Sequence, residues 1–298
     1  MVDDILRQRL ESLNRGPMPI CTTALTAPSG SSSFTPPPVE RSPQIYSGTI
    51  KAAPGLLRSG EVVVTDAGEH LRIRLSIDAI WPNGERLVAT RLEHLQDLAA
   101  MSEQAIEPTV VLQPDFAALV AALPDRVLLL DLETCGLAGS AVFLVGLLRQ
   151  IDGVPAIELL IARNYAEEQA ILETLWQTVA GHDVLVTFNG KSFDWPMVRD
   201  RSTRYRLAAR SAAAPMVHLD LLHHARRRWR KQLPDCRLQT LEQLVCRRRR
   251  MGDIPGHRIP AAYAEFVRTG FEREMDAILY HNAVDLVTLL DLTLRLAA

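Results

Sequence analysis

The sequence predicts an α/β protein whose mixed sheet contains an antiparallel meander of three strands, extended by parallel strands and flanked by helices. The first observation is that three apolar segments follow Pro124 in succession, joined by short connections that contain glycine. The second is the segment "AEEQAILETLWQTVAG", whose apolar residues recur at helical spacing. The third is another apolar run, "DVLVTFNG", directly after that helix. A strand that returns after a helix is expected to join the same sheet in parallel.

The N-terminal part is predicted to contribute little to the core. Residues 1–45 are expected to be a disordered segment, because "GPMPICTTALTAPSGSSSFTPPPVERS" is rich in Pro, Ser and Thr and cannot bury enough apolar surface. Helical spacing within residues 1–15 predicts only a marginal helix. Residues 46–122 form a small accessory region, in which "EVVVTDAGEHLRIRLSI" predicts two strands joined by a turn. The run "RLVATRLEHLQDLAAMS" in the same region fits a strand or a helix.

Residues 123–298 are predicted to be the main domain. The three strands of the meander are expected at 127–131, 141–149 and 156–162. After the fourth strand the sequence is read as helical, with helices at 220–231, 238–246, 260–268 and 272–297.

Composition indicates the class of protein. With 298 residues, 47% of them apolar, and a mean hydropathy near zero, the chain has enough material for a sizeable core. No apolar stretch is long enough to predict a signal peptide or a membrane span. We therefore expect a cytoplasmic location and no membrane partner. The four cysteines are far apart and form no Cys-x-x-Cys pair, which argues against a zinc knuckle or a disulfide framework.

The charge of the chain is unevenly distributed. The formal net charge is only -2, which by itself predicts no polyanionic partner. Between Arg199 and Arg250, however, fifteen Lys and Arg stand against four Asp and Glu. The runs "ARRRWRK" and "CRRRRM" fit either solvated faces or contacts with nucleic-acid phosphates. Aromatic residues make up only 5% of the chain, which does not favour a broad base-stacking platform.

Acidic residues follow two of the predicted strands and interrupt the last helix. Asp131 and Glu133 project to the same side of their strand, where they either face solvent or share a cation that relieves their repulsion. Asp194 follows the fourth strand, on the carboxyl side where α/β sheets place ligands. His281 and Asp285 are four residues apart and share one helix face, and Asp285 interrupts an apolar stripe. A buried carboxylate of this kind needs a partner.

Three of these segments resemble a known family. "DLETCGL", "FNGKSFDWP" and "HNAVD" resemble the three exonuclease motifs of the DEDD branch of the ribonuclease H-like superfamily. The run from "HLDLLHHARRRW" to "HNAVDLVTL" is similar to the bacterial YprB-like ribonuclease H-like proteins, and the resemblance covers about residues 124–296. The resemblance implies a ribonuclease H-like sheet and a nucleic-acid substrate. It also implies two divalent cations, Mg²⁺ or Mn²⁺, held by Asp131, Glu133, Asp194 and Asp285.

The activity implied by the resemblance is hydrolysis of phosphodiester bonds by a two-metal nuclease, most simply a 3′-to-5′ exonuclease on single-stranded DNA or RNA. Two alternatives remain open. One is a nucleic-acid-binding or scaffolding module with little catalytic activity. The other is endonucleolytic cleavage by the same metals. Protein partners are not predicted.

The residue that activates water departs from the family pattern. One family branch has a His five residues before the last Asp and another has a Tyr four before it, whereas here Tyr280 is five before Asp285 and His281 is four before. On a regular helix, a side chain five residues before Asp285 points about 140° away from it, whereas a side chain four residues before lies on nearly the same face. The sequence therefore favours His281 as the general base, with a purely hydrogen-bonding role as the alternative.

Four further residues are candidates for substrate binding. Thr134 and Leu137 match positions that touch the terminal nucleotide in relatives, by resemblance alone. Asn189 is either a turn former or a substrate contact, and Lys191 is either a phosphate contact or an ordinary surface residue. Asp220 is predicted to cap the helix that follows it, since the spacing of the neighbouring histidines fits no zinc site. Those histidines are His218, His223 and His224.

Overall fold

A computed structural model of the protein describes residues 49–51, 55–104, 113–136, 139–207 and 216–297, all within the unit Gln44–Ala298. The predictions for residues 1–45 lie outside the described residues, as do those for Cys21 and Leu137.

Seven strands form one mixed sheet in the order β2-β3-β6-β5-β4-β7-β8, and two short strands, β1 and β9, pair separately. The strands are β1 (Thr49–Lys51), β2 (Glu61–Thr65), β3 (Gly68–Ser76), β4 (Val127–Thr134), β5 (Val142–Ile151), β6 (Val154–Ile161), β7 (Val184–Thr187), β8 (Val217–Asp220) and β9 (Arg249–Met251).

The helices that flank the sheet include all those predicted from the sequence within the described residues, with closely similar bounds, and two that were not predicted, at Ile77–Ile80 and Pro114–Ala122. The helices are α1 (Ile77–Ile80), α2 (Gly84–Gln104), α3 (Pro114–Ala122), α4 (Glu168–Val179), α5 (Asp194–Arg204), α6 (Leu221–Trp229), α7 (Leu238–Leu244), α8 (Ile259–Thr269) and α9 (Arg273–Ala297). The segment that fitted a strand or a helix is the helix α2.

The meander and its parallel extension are confirmed. Strand β5 pairs antiparallel with both β4 and β6, while β7 pairs parallel with β4 and β8 pairs parallel with β7. The carboxyl ends of β4, β7 and β8 therefore meet at one edge of the sheet, where the acidic segments begin. Strand β8 was not predicted, because only helices were expected after the fourth strand. Four residues are too few to show an alternating pattern.

The hairpin predicted in the accessory region is present and joins the main sheet. Strands β2 and β3 pair antiparallel, and β3 in turn pairs with β6, with Leu71 opposite Ile161. Part of the accessory region is thus continuous with the sheet of the main domain. The domain boundary near residue 122 remains a prediction.

Helix α9 lies at the centre of the fold and carries two of the candidate site residues. It packs against β4 and β5, and most of its side chains are buried. Judged by length and composition alone, α9 could cross a membrane, and it is the one such helix among the described residues; its mean hydropathy is 1.3. This apolar stretch was not anticipated from the sequence. Its most apolar window is 89% buried within the protein, as expected of a helix that forms the core.

Candidate active site

Asp131 and Glu133 lie on β4 and point to the same side, while Leu132 between them is turned into the core. Asp131 is opposite Gly146 of β5, and the missing side chain at that position makes room for Asn282 of α9. Asn282 donates a hydrogen bond through Nδ2 to Asp131 Oδ2 at 2.7 Å. Sequence reasoning missed Asn282, although a polar residue inside the apolar part of α9 was a signal.

Gly146→Ala is expected to disturb this contact. A Cβ atom at position 146 would overlap Asn282 Oδ1 and come within 3.0 Å of a methyl carbon of Leu286. We expect the free energy of unfolding to fall by about 1 to 3 kcal/mol, as for other overpacked interiors. Urea denaturation would measure the change. Gly256→Ala is the matched control, because a Cβ there would meet no atom within 4 Å; an equal loss in both variants would contradict the packing argument.

Asp194 is the first residue of α5 and comes close to β4. Its carboxylate accepts a hydrogen bond from the backbone N–H of Leu132, which lies between Asp131 and Glu133. Burial raises the pKa of Asp194 to about 7, and the neighbouring charge of Asp220 adds to this rise, while backbone hydrogen bonds oppose it. The three carboxyl groups therefore belong to one buried cluster.

The loop before α5 is held in place by the carboxylate of Asp220. That carboxylate accepts backbone N–H groups from Asn189 at 2.7 Å and Lys191 at 3.1 Å, and also from Leu222 at 3.1 Å. The predicted helix cap is confirmed, and the same side chain also fixes the loop that leads to Asp194. Asn189 has φ of +66°, a conformation that Asn tolerates in turns.

Helix α9 brings His281 and Asp285 to the cluster. Nε2 of His281 is 3.4 Å from Asp285 Oδ2 and 3.9 Å from Glu133 Oε1. Nδ1 of His281 makes a 2.7 Å hydrogen bond with Asp253 Oδ1, a partner that sequence reasoning missed. Tyr280, which precedes His281, is 1% exposed, and its hydroxyl has no hydrogen-bond partner among the described residues.

Arg250 reaches into the site from β9. It forms ion pairs with Asp285, with Glu242 at 2.6 Å and with Asp253 at 3.4 Å, and its side chain is only 6% exposed. Coulombic attraction from Asp285 and hydrogen bonding with Glu242 raise the pKa of this guanidinium, although burial opposes the rise. Arg250 is thus a permanent positive charge beside the carboxylates.

The four arginines of the run "CRRRRM" do not share a single solvated or phosphate-binding surface. Arg248 is 1% exposed, pairs with Asp291 at 3.0 Å and lies over the ring of Trp81. Arg247 and Arg249 are exposed, whereas Arg250 is directed into the site. Along β9, which begins at Arg249, alternate side chains face opposite sides, and this separates the exposed Arg249 from Arg250.

Burial and mutual repulsion raise the pKa values of the acids on β4. Burial raises the pKa of Asp131 well above its usual range, and the charges of Asp285 and Glu133 raise it further. Burial also raises the pKa of Glu133 to about 8, although the nearby His281 opposes this rise. Without a bound cation, the carboxyl group of Glu133 therefore holds a proton near neutral pH.

The pKa of His281 is shifted upward in the same site. Burial alone would lower it, but the hydrogen bond with Asp253 and the charges of Asp285 and Glu133 outweigh burial and raise the pKa to about 9. In the metal-free protein the imidazole is therefore protonated at pH 7, and it can accept a proton only when other positive charge balances the carboxylates.

The stability of the metal-free protein is expected to fall between pH 7 and pH 9. The folded state retains protons on Glu133 and His281 that the unfolded chain, with ordinary pKa values, has already lost. The folded state thus binds more protons, and stability decreases as pH rises, by on the order of 2 kcal/mol. Urea unfolding in EDTA at the two pH values would test this, and Glu133→Gln should reduce the decrease. Stability that increased toward pH 9 would contradict the assignment.

The donor groups fit a divalent cation by their chemistry. Carboxylate oxygens are the ligands that Mg²⁺ and Mn²⁺ prefer, and a cation would relieve the repulsion that raises the pKa values of Asp131 and Glu133. Asn282 Oδ1 is a buried acceptor without a hydrogen-bond partner in the described part of the chain. Within that same part, no three His, Cys, Asp or Glu side chains lie close enough to coordinate one ion, and Arg250 pairs with Asp285 instead.

The described candidate substrate residues are Thr134, Asn189 and Lys191, on the segments that carry Glu133 and Asp194. The hydroxyl of Thr134 donates to the carbonyl oxygen of Gly136 at 2.7 Å and so stabilises the turn after β4. Asn189 and Lys191 lie in the loop before Asp194, and the side chain of Lys191 is exposed. Phe193, next to Asp194, is 65% exposed, an unusual position for a large aromatic side chain that sequence reasoning missed.

The three neighbouring histidines lie in different environments. His218 Nε2 is hydrogen-bonded to Thr187 at 2.8 Å, and burial lowers the pKa of His218 to about 4. His224 packs edge-on against Phe116, and His223 is exposed.

Comparison with known proteins identifies the class. The model of the RNase_H superfamily matches residues 128–297, a range that contains every carboxylate of the cluster. The chain belongs to the RNase_H superfamily. It is 33% identical over 173 residues to the uncharacterized protein YprB of Bacillus subtilis (strain 168), a match that covers 56% of this chain and 41% of YprB. The protein thus spans well under two thirds of that relative.

Among solved structures, the chain is similar to the family B DNA polymerase of Pyrobaculum calidifontis, with 11% identity and a TM-score of 0.45. That match covers 78% of this chain and 44% of the polymerase.

Proposed function

We propose that the protein is a two-metal-dependent nuclease, a 3′-to-5′ exonuclease that hydrolyses phosphodiester bonds of single-stranded DNA or RNA. The observation that carries the proposal is that the carboxyl groups of Asp131, Glu133, Asp194 and Asp285, which come from three distant segments of an RNase_H superfamily fold, converge in one buried cluster. Mutual repulsion of this kind in a buried cluster is what bound cations relieve. The cytoplasmic location remains a prediction.

The four carboxylates would hold two Mg²⁺ or Mn²⁺ ions. When bound, the ions would supply an activated water and stabilise the charge on the leaving 3′ oxygen. Asn282 keeps the carboxylate of Asp131 in place, and Asp220 fixes the loop that positions Asp194. Binding of cations would also require Arg250 to release the oxygen of Asp285 that it contacts.

His281 is proposed as the group that accepts a proton from the attacking water. Its Nε2 atom faces Glu133 and Asp285, and Asp253 fixes the orientation of the ring through Nδ1. The neighbouring Tyr280 is a poorer candidate, because burial raises the pKa of its hydroxyl well above the usual value. Although Tyr280 and His281 are exchanged relative to the family pattern, the imidazole of His281 still lies beside the carboxylates.

A second candidate function is a nucleic-acid-binding module with little catalytic activity. The pairing of Arg250 with Asp285 favours it, since a guanidinium neutralises one of the four carboxylates without a metal. Isothermal titration with Mn²⁺ separates the two proposals. A nuclease should bind the ion in a manner that depends on Asp194 and Asp285, whereas the module should not.

The proposed activity is tested with a single-stranded oligonucleotide labelled at its 3′ end. Labelled mononucleotides should appear in the presence of Mn²⁺ or Mg²⁺, and their release should stop in EDTA, because the carboxylates alone cannot stabilise the developing charge. A circular single strand is the matched control. A circle that stays intact supports exonucleolytic action, a nicked circle supports endonucleolytic action, and two inert substrates would reject nuclease activity.

A further inference from the structure

The C-terminal half of α6 and the turn after it carry five neighbouring basic side chains, which we call the arginine surface: Arg226, Arg227, Arg228, Arg230 and Lys231. All five side chains are exposed. Arg227 donates a hydrogen bond to His224 at 2.8 Å. The other four form no ion pair with any acid in the described ranges, in contrast to the buried Arg248 and Arg250, each of which has carboxylate partners.

This concentration of positive charge is not balanced from within the described fold. Five cations within six consecutive residues repel one another, and the repulsion is relieved when a polyanion approaches. The nearest acid in the sequence, Asp235, is itself paired with Arg237 at 3.9 Å. The arginine surface therefore has charge available for an anionic partner.

A groove lies beside these side chains. It has a volume of about 460 Å³ and is lined by Arg226, Arg230, Pro234, Asp235 and Cys236. The two arginines are four residues apart, so they project from the same face at the end of α6. The two guanidinium groups in this lining, with Arg227, Arg228 and Lys231 nearby in the sequence, offer several separate positive charges, which suits successive phosphates of a chain.

The arginine surface is connected to the candidate site through α6. The helix begins immediately after Asp220, whose carboxylate holds the loop that precedes Asp194. Nine helical residues extend about 13 Å, so the end of α6 that carries the arginine surface is roughly one helix length from Asp220.

We propose that the arginine surface binds the sugar-phosphate backbone of the nucleic-acid strand that enters the candidate site. The position of the strand end rests on the proposed function, but binding to this surface requires no hydrolysis. Contacts of this kind recognise charge rather than base sequence. Trp229, the aromatic residue within the run, is half-buried and packs against the core, so base stacking on this surface is not its role.

The test measures binding of a fluorescent 30-nucleotide single strand in EDTA by anisotropy, as a function of salt. Arg226→Gln with Arg230→Gln removes two charges while keeping good helix formers. Affinity should fall by about fivefold at low salt. The slope of log affinity against log salt should decrease by about 1.4, since each single-strand phosphate contact contributes about 0.7.

The matched control is Arg86→Gln with Arg268→Gln, which removes two exposed helical arginines on α2 and α8. This control should bind the strand like the unmodified protein, and circular dichroism melts should show that both double variants are folded. An equal loss in the control, an unchanged slope in the Arg226 and Arg230 variant, or no binding by the unmodified protein would overturn the proposal. Because EDTA prevents metal-dependent cleavage, a failure of the proposed nuclease activity would be seen separately, in the assay with Mn²⁺.

Discussion

Asp194→Asn is expected to abolish the metal-dependent release of nucleotides while the protein remains folded. The carboxylate of Asp194 accepts a hydrogen bond from the backbone of β4 between Asp131 and Glu133, and in the proposed function it is one of the four metal ligands. Its amide replacement keeps the size of the side chain but loses the negative charge that a divalent cation needs. We expect the rate with Mn²⁺ to fall at least about 10³-fold, because charge stabilisation in the transition state is usually the largest contribution.

Asp200→Asn is the matched control for this experiment. Asp200 is on the same helix, α5, and is exposed, so the change removes one charge at a similar place without touching the cluster. It should leave the rate unchanged within about twofold. Equal activity of the Asp194 variant and the unmodified protein would remove Asp194 from the proposed metal site.

His281→Gln is expected to slow hydrolysis by about 10² to 10⁴-fold, the contribution of a general base. Asp253→Asn should have a smaller effect in the same direction, since it removes the charge that fixes the imidazole through Nδ1 but leaves Nε2 facing Glu133 and Asp285. The measurement is the single-turnover rate at saturating Mn²⁺ from pH 6 to pH 9. Loss of the basic group should flatten the pH profile as well as lower the rate.

Tyr280→Phe is the control that decides between the two neighbouring residues. It removes a buried hydroxyl without a hydrogen-bond partner among the described residues and preserves the ring. A large loss of rate in this variant, together with an active His281→Gln protein, would transfer the role of base to Tyr280. Mn²⁺ titration of both proteins would show whether metal binding is retained.

The part of the fold that could be predicted is encoded by local patterns. The meander has long apolar strands between glycine-containing turns, and α4 shows clear helical spacing, so each element is evident within a window of ten to fifteen residues. The positions of Asp131 and Glu133 follow from the alternation along β4. Residue Asp220 was also predictable, because a helix cap acts on its immediate neighbours.

The remaining features depend on residues that are far apart in the sequence. Asp253 and His281 are separated by 28 residues and Arg250 and Asp285 by 35, and no periodic pattern indicates that they meet. Arg250 in particular looks like one member of a solvated basic run. Only the pairing of β9 with β1 and the packing of α9 direct its side chain toward the carboxylates.

The parallel pairing of β1 with β9 bears on how the protein can be shortened. Thr49–Lys51 supplies the backbone partner of Arg249–Met251, and just beyond it the amides of Gly55 and Leu57 donate to Asp276 of α9. A fragment cut to the RNase_H match, residues 128–297, would lose these contacts and also the edge strand β2 and its neighbour β3 of the large sheet. Removal of the amino-terminal residues therefore affects the carboxylate cluster through Arg250, although none of the removed residues belongs to that cluster.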